Sequence, residues 1–278
     1  MTTECRLPAY FLSHGGGPWP YMTGAFRRNF DLLEQSLLAM RTELDNRPTA
    51  VLVITGHWDT RGFALSSGEW PGMVYDYSGC PGELYQIHYR APGSPRLAQR
   101  VQELLRAGGV AATLDPARGF DHGTFSIMQP VYPGEDMPIV QLSIDTGFDP
   151  ALHLAVGRLL APLRDEGVLM VGSGLSYHNL RAMMGGGGDE ASRQFDAWLS
   201  QTLLDVPFAE RTARLLAWEQ APSARAAHPR EDHLIPLMVV AGAAEQDAGA
   251  RVWHQRDFFG GITASSFRFG NPPVSIGV

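Results

Sequence analysis

Ala50-Val51-Leu52-Val53-Ile54-Thr55 runs directly into Gly56-His57-Trp58, and this stretch decides how the chain is read. Short β-branched runs bounded by Gly and Pro read as buried strands. Pro8-Ala9-Tyr10-Phe11-Leu12-Ser13 repeats the pattern and ends in His14-Gly15-Gly16-Gly17-Pro18. In an open α/β sheet, ligands collect outside the carboxyl ends of such strands. Two imidazoles delivered to that edge by two strands point to the start of a metal site. Two further runs lead to His122 and His178. No packing rule places imidazoles at strand ends repeatedly, and the glycines beside His14 and His57 point to close backbone approach to something small.

Outward from these runs, strand and helix patterns alternate. Phe26, Phe30, Leu33, Leu37 and Leu44 recur at helical spacing, which predicts an amphipathic helix from Thr23 to about Asn46. Residues 62–93 break the rhythm: they are rich in Gly, Pro and Tyr, with short strand-like pieces at Phe63-Ala64-Leu65 and Met73-Val74-Tyr75. A long irregular segment in a compact domain is usually functional or disordered, and its aromatics argue against disorder. Ser94-Pro95 and Asp149-Pro150 each supply a helix cap and a first-turn proline. Ile139–Ile144 and Val168–Ser173 read as strands, Leu237–Ala244 as a helix, and Phe267-Arg268-Phe269 as an edge strand. Neither a repeat nor a low-complexity linker interrupts the pattern. The expected fold is a single α/β domain over residues 1–278, with helices on both faces of a mixed central β-sheet.

Composition narrows the function classes. The net charge of −7 comes without a Lys/Arg cluster, which argues against nucleic acid as a partner. Cys5 and Cys80 are the only cysteines and imply neither a disulfide framework nor a Cys-x-x-Cys motif. Residues 1–6 lack a signal-peptide layout, and no apolar stretch reaches the roughly 18–20 residues of a membrane span. A cytoplasmic protein with no membrane partner is the default expectation, and the sequence is compatible with a homo-oligomer. No His-Glu-x-x-His occurs. His14-Gly15-Gly16-Gly17 looks like a hydrolase oxyanion loop, yet the Gly-x-Ser-x-Gly elbow it requires fails at Ser173, where Val171 stands two positions earlier.

Five segments, in order, carry a resemblance. They are Leu12-Ser13-His14-Gly15, Thr55-Gly56-His57-Trp58, Phe120-Asp121-His122-Gly123, Gly172-Ser173-Gly174 with His178-Asn179-Leu180, and His228-Pro229-Arg230-Glu231-Asp232-His233-Leu234. Together with Tyr89–Pro95 and Pro138–Asp145 they resemble the DOPA 4,5-dioxygenase type of class III extradiol ring-cleaving dioxygenases, in the LigB-like superfamily, over nearly the whole chain. The resemblance implies an Fe(II)-dependent oxidoreductase that opens a catechol ring with O2. It places the metal ligands at His14, His57 and His233 and the acid/base histidines at His122 and His178. Two His and one carboxylate form the usual non-haem oxygenase triad. Glu231 and Asp232 therefore stand as alternatives to His233. Zn2+ fits three histidines equally well, so a zinc-dependent hydrolase using the same site is the second reading. Asp121 suits either a role orienting an imidazole or a solvated loop position, and His228 suits a cap on the turn before Pro229. His88, His153 and His254 read as structural. Cys80 replaces an aromatic and Arg90 a proline of the family pattern, and both fall in the segment expected to border the substrate.

Overall fold

The computed structural model describes residues 6–45 and 48–272. Cys5 and the end of the expected first helix at Asn46 lie outside them. Eight strands form one sheet: β1 (Ala9–Ser13), β2 (Ala50–Thr60), β3 (Phe63–Ser66), β4 (Ala112–Asp115), β5 (Ile139–Asp145), β6 (Val168–Gly174), β7 (Gly249–Phe258) and β8 (Ile262–Phe269). The order is β4-β3-β5-β2-β6-β1-β8-β7. β5, β2, β6 and β1 are mutually parallel, β3 runs antiparallel to β5, and β8 runs antiparallel to β1. This is the expected mixed sheet. The parallel strands are buried along nearly their whole length, as continuous apolar runs require when both faces are covered.

β6 shows both faces at once, because successive side chains point to opposite sides of a strand. Gly172 faces helix Ile235–Ala243 and Gly174 the turn that leads into it, while Ser173 donates to the Gly123 carbonyl at 2.5 Å on the opposite face. Helix Ile235–Ala243 packs on helix Pro150–Leu160, and helix His122–Val131 packs on helix Asp31–Leu44. The caps at Ser94 and Asp149 form as the sequence implied, accepting from Leu97 N–H and Ala151 N–H.

Three expectations need correction. The single helix from Thr23 is broken: a turn at Gly24–Arg27 and a tight turn at Arg28–Phe30 precede Asp31–Leu44. The break turns the Phe30 ring onto Trp19, stacked at 5.3 Å, where both are fully buried. Phe267–Phe269 is not at an edge, since β8 pairs with β1 on one side and β7 on the other. The edge is β7, whose polar sequence hides its strand period. β2 does not stop before His57 but continues to Thr60, with a register shift between Ile54 and Asp59. His57 lies in that irregularity, which turns its ring off the sheet toward the site.

Candidate metal centre

The five histidines singled out in the sequence meet in one cluster at the carboxyl ends of β1, β2 and β6. His14 follows the last residue of β1, and its amide donates to the Gly174 carbonyl at the end of β6. His57 stands in the β2 irregularity. His233 arrives on the tight turn Glu231–Leu234, which the Leu175 amide holds by donating to the His233 carbonyl at 3.1 Å. This third approach needs Gly174, because a Cβ there would sit 2.0 Å from the His233 carbonyl oxygen. Of the glycines beside His14 and His57, Gly56 is likewise pressed against backbone, the Asp232 carbonyl, whereas Gly15 is pressed against the Trp19 and Phe30 rings.

His57 Nε2 lies 3.1 Å from His14 Nε2 and 3.1 Å from His233 Nε2. The surrounding bonds assign the tautomers. The single proton of Ser173 Oγ goes to the Gly123 carbonyl, so Ser173 Oγ accepts from His14 Nδ1–H at 3.0 Å. His57 Nδ1 lies 3.1 Å from Asp76 Oδ2, also out of line for a hydrogen bond, and the carboxylate's charge favours the proton on that nitrogen. His233 Nδ1 is 3.1 Å from Asp232 Oδ1, close but out of line for a hydrogen bond. Burial holds all three rings neutral: His57 is pushed down to about 3 by desolvation and then by His122, and His14 and His233 fall well below the ordinary value for the same first cause. With His14 Nδ1 protonated and His57 Nδ1 favoured to be, the Nε2 lone pairs of these two rings face each other. His233 Nε2 joins them when its own proton sits on Nδ1 beside Asp232. A cation resolves that repulsion. Ligands at about 2.1 Å and right angles stand about 3.0 Å apart, so the His57–His14 and His57–His233 spacings fit neighbouring positions on a divalent metal.

His122 and His178 flank this triplet. The His122 ring lies 3.9 Å from that of His57, and the His178 ring stacks on His233 at 3.3 Å. His122 opens helix His122–Val131, where Asp121 caps the helix by accepting from Thr124 N–H. Asp121 is fully buried and binds Thr55 Oγ1 and Arg118, so it braces the β2 bend rather than touching a ring. The imidazole-orienting carboxylate is instead Asp76, from the long irregular segment. Its Oδ1 accepts from His122 Nδ1–H at 2.8 Å and from the His122 amide at 3.1 Å, while Oδ2 lies 3.1 Å from His57 Nδ1. Burial is the largest single effect and opposes its ionisation. The bonds from the His122 ring and amide, together with the nearby His122 and His57 rings, outweigh it and hold the carboxyl below its usual range. Nothing in the sequence around Asp76 marks it; only the fold of an irregular loop brings it to two rings.

The neighbours of His233 point elsewhere. Glu231 pairs with Arg225 at 2.7 Å, and Asp232 caps the His233 amide at 2.9 Å and lies 3.8 Å from His178 Nδ1. His228 does not start a helix. It ends the turn Ala224–Ala227 and is fully buried, with Nε2 on the Ser176 carbonyl and its ring against Phe195 and Trp218. Burial pushes its imidazole down to about 3. The unfolded chain binds this proton near pH 6.5 and the folded chain does not. Stability is therefore complete above about pH 6.5 and is lost on acidification toward about pH 3, at about 1.4 kcal/mol per pH unit. Urea unfolding between pH 7 and 4.5 should show that slope reduced by this amount in His228→Leu; parallel slopes would remove His228 from the account. His88 is exposed, His153 bonds the Asp149 carbonyl and the Asp145 amide, and His254 bonds Ser265, all outside the cluster.

An α/β sheet carrying a histidine metal site at its strand ends defines a mononuclear metalloenzyme. The family model described as the catalytic LigB subunit of aromatic ring-opening dioxygenase matches residues 8–270, and the chain belongs to that family. It is 35% identical over 270 residues to a 4,5-DOPA dioxygenase extradiol of Portulaca grandiflora, covering 94% of this chain and 95% of that one. It is 37% identical to the protein of that name from Escherichia coli K12, covering 87% of each, and 36% identical to the dioxygenase tasH of Hapsidospora irregularis, covering 91% and 82%. A crystal structure of an uncharacterized Escherichia coli K12 protein superposes with a TM-score of 0.76 at 32% identity, covering 95% of this chain and all of that one. No helix among the described residues is long and apolar enough to cross a membrane.

Proposed function

We propose that the chain is an extradiol dioxygenase, a single catalytic domain that opens the ring of a catechol with O2 using Fe(II) held by His14, His57 and His233. The observation that carries this reading is the set of three converging Nε2 lone pairs with two further imidazoles beside them. Fe(II) bound there supplies redox chemistry and an open face for the catechol oxygens and O2, which Zn2+, lacking redox chemistry, does not. The family membership favours this over the zinc hydrolase.

The chain's own residues handle protons and position. Asp76 fixes the proton of His122 on Nδ1, so Nε2 is the free base that can accept a phenolic proton. His178, half-buried and stacked on His233, is pushed down to about 4 by burial, against the pull of Asp232. It is neutral at pH 7 and therefore a weak base, while its protonated form is a strong acid suited to returning a proton to the opened ring.

Apoprotein reloaded anaerobically with Fe(II) should consume O2 in amounts equimolar with the catechol cleaved and form a yellow semialdehyde. Hydrolysis of an ester or amide by the zinc form, without O2 uptake by the iron form, would replace the reading. His122→Phe and His178→Phe should keep iron and lose about 10²–10⁴-fold in kcat. Iron content measured beside single-turnover cleavage separates the roles: loss of iron makes the residue a ligand.

A further inference from the structure

A cavity of about 830 Å3 opens beside the histidine cluster. Its wall is joined to the cluster at three places. Gly15 follows His14, Tyr77 follows Asp76, and Leu175 donates its amide to the His233 carbonyl. The Tyr77 ring meets the His122 ring edge-on at 6.2 Å, so the cavity starts where the proposed proton-transfer residue ends.

A catechol ring does not need this space. A cavity of about 150 Å3 holds a benzene ring. The remainder is lined mostly by apolar groups, among them Met22, Phe26, Leu84, Met183 and Phe259, with the hydroxyl-bearing Tyr21, Thr23, Tyr77 and Ser78 also on its wall. Glu83 is the only charged side chain among the described lining residues, and it stands at an exposed position. An ionised carboxylate carried into this space meets no cation and faces the charge of Glu83. Burying such a charge without a partner is strongly unfavourable. Apolar surface continues outward at the rim, where Phe26 and Leu180 are exposed and Met184 is 71% exposed. Cys80, which stands where the family pattern has an aromatic, lines the cavity and widens it on that side; Arg90, the other departure, does not reach it.

We infer that the cavity holds the non-reacting substituent of the substrate, and that this substituent is large, apolar and uncharged: an aryl group or an alkyl or alkenyl chain on the catechol ring. The inference rests on the catechol-dioxygenase reading and names the substrate class of that same site. It sets the chain apart from a specificity for the zwitterionic side chain of 3,4-dihydroxyphenylalanine.

The test has an activity arm and a binding arm. With iron-loaded enzyme, kcat/KM should rise about fourfold for each methylene added along a series of 4-alkylcatechols until the cavity is filled. 4-Phenylcatechol should exceed both protocatechuate and 3,4-dihydroxyphenylalanine by at least about tenfold. Met184→Arg, at an exposed rim position where folding is not at stake, and Met22→Arg should shrink that ratio by bringing a cation to the substituent. A flat alkyl series, or a preference for either charged catechol, overturns the inference while leaving the dioxygenase reading intact. In the binding arm, metal-free protein is titrated with 4-phenylphenol and with phenol, neither of which is a catechol. 4-Phenylphenol should bind at least about tenfold more tightly, and Met22→Arg should erase the difference. Equal affinity overturns the inference even if no catechol is ever cleaved. Failure of every catechol in the first arm, with selective binding in the second, overturns only the reaction.

Discussion

Alanine at His14, His57 or His233 is expected to strip the protein of its metal and of ring cleavage. Each substitution removes one of three lone pairs that converge within 3.1 Å of the central His57 Nε2. Residues that merely orient a metal ligand cost about 10–100-fold in metal affinity when replaced, and removing a ligand costs more than that. The fold should survive, because each ring projects from the end of a strand or from a turn and leaves the apolar sheet core untouched. Metal content after dialysis and anaerobic Fe(II) titration, beside circular dichroism, measure both halves of the expectation. Full occupancy in His14→Ala would refute the ligand set. Loss of metal from Asp232→Ala or Glu231→Ala with retention in His233→Ala would put a carboxylate on the metal instead.

Asp76→Asn should be nearly as damaging, although Asp76 itself stands on the far side of both rings. One carboxylate accepts the Nδ1 proton of His122 and stands 3.1 Å from Nδ1 of His57, where its charge favours a proton. An amide has one acceptor oxygen and an NH2 group, so one of the two rings faces a donor and must turn or exchange its proton to Nε2. For His57 the protonated Nε2 can no longer bind metal; for His122 it can no longer accept a phenolic proton. Metal affinity should fall about 10–100-fold. Where metal is restored by excess Fe(II), kcat should stay low by up to about 10⁴-fold, the size of the loss when the orienting carboxylate of a Ser-His-Asp triad becomes an amide. Asp76→Glu should recover part of the activity. A purely structural role for Asp76 predicts lowered stability with normal kcat in the folded fraction, which a denaturation curve measured beside the rates distinguishes. Normal iron affinity and kcat in Asp76→Asn would remove it from the site.

The parallel centre of the sheet was legible because its strands are buried on both faces and read as unbroken apolar runs. The flanks were less so. β7 carries the polar run His254-Gln255-Arg256-Asp257, and β4 is four half-exposed or exposed residues, Ala112–Asp115. Neither shows a hydrophobic run, and each is a strand because a neighbour supplies its hydrogen bonds. The helix expected from Thr23 broke at Phe30 because Trp19, eleven residues earlier, offered its ring a partner that local periodicity does not contain.

The same division runs through the site. The sequence by itself determined which imidazoles stand at the ends of apolar strands, because a strand boundary is a local event set by Gly, Pro and the end of a β-branched run. It placed His14 and His57 at the active edge, and its motifs marked His122, His178 and His233. Tertiary structure alone decided which lone pairs converge and where the protons sit. The 3.1 Å meetings of His57 with His14 and His233 span 43 and 176 residues of chain. Asp76 joined them because a segment with no regular pattern of its own folds over the strand ends, and its carboxylate meets two imidazoles there. A carboxylate in a loop carries no local signal of such partners; the partners exist only once the chain has closed around them.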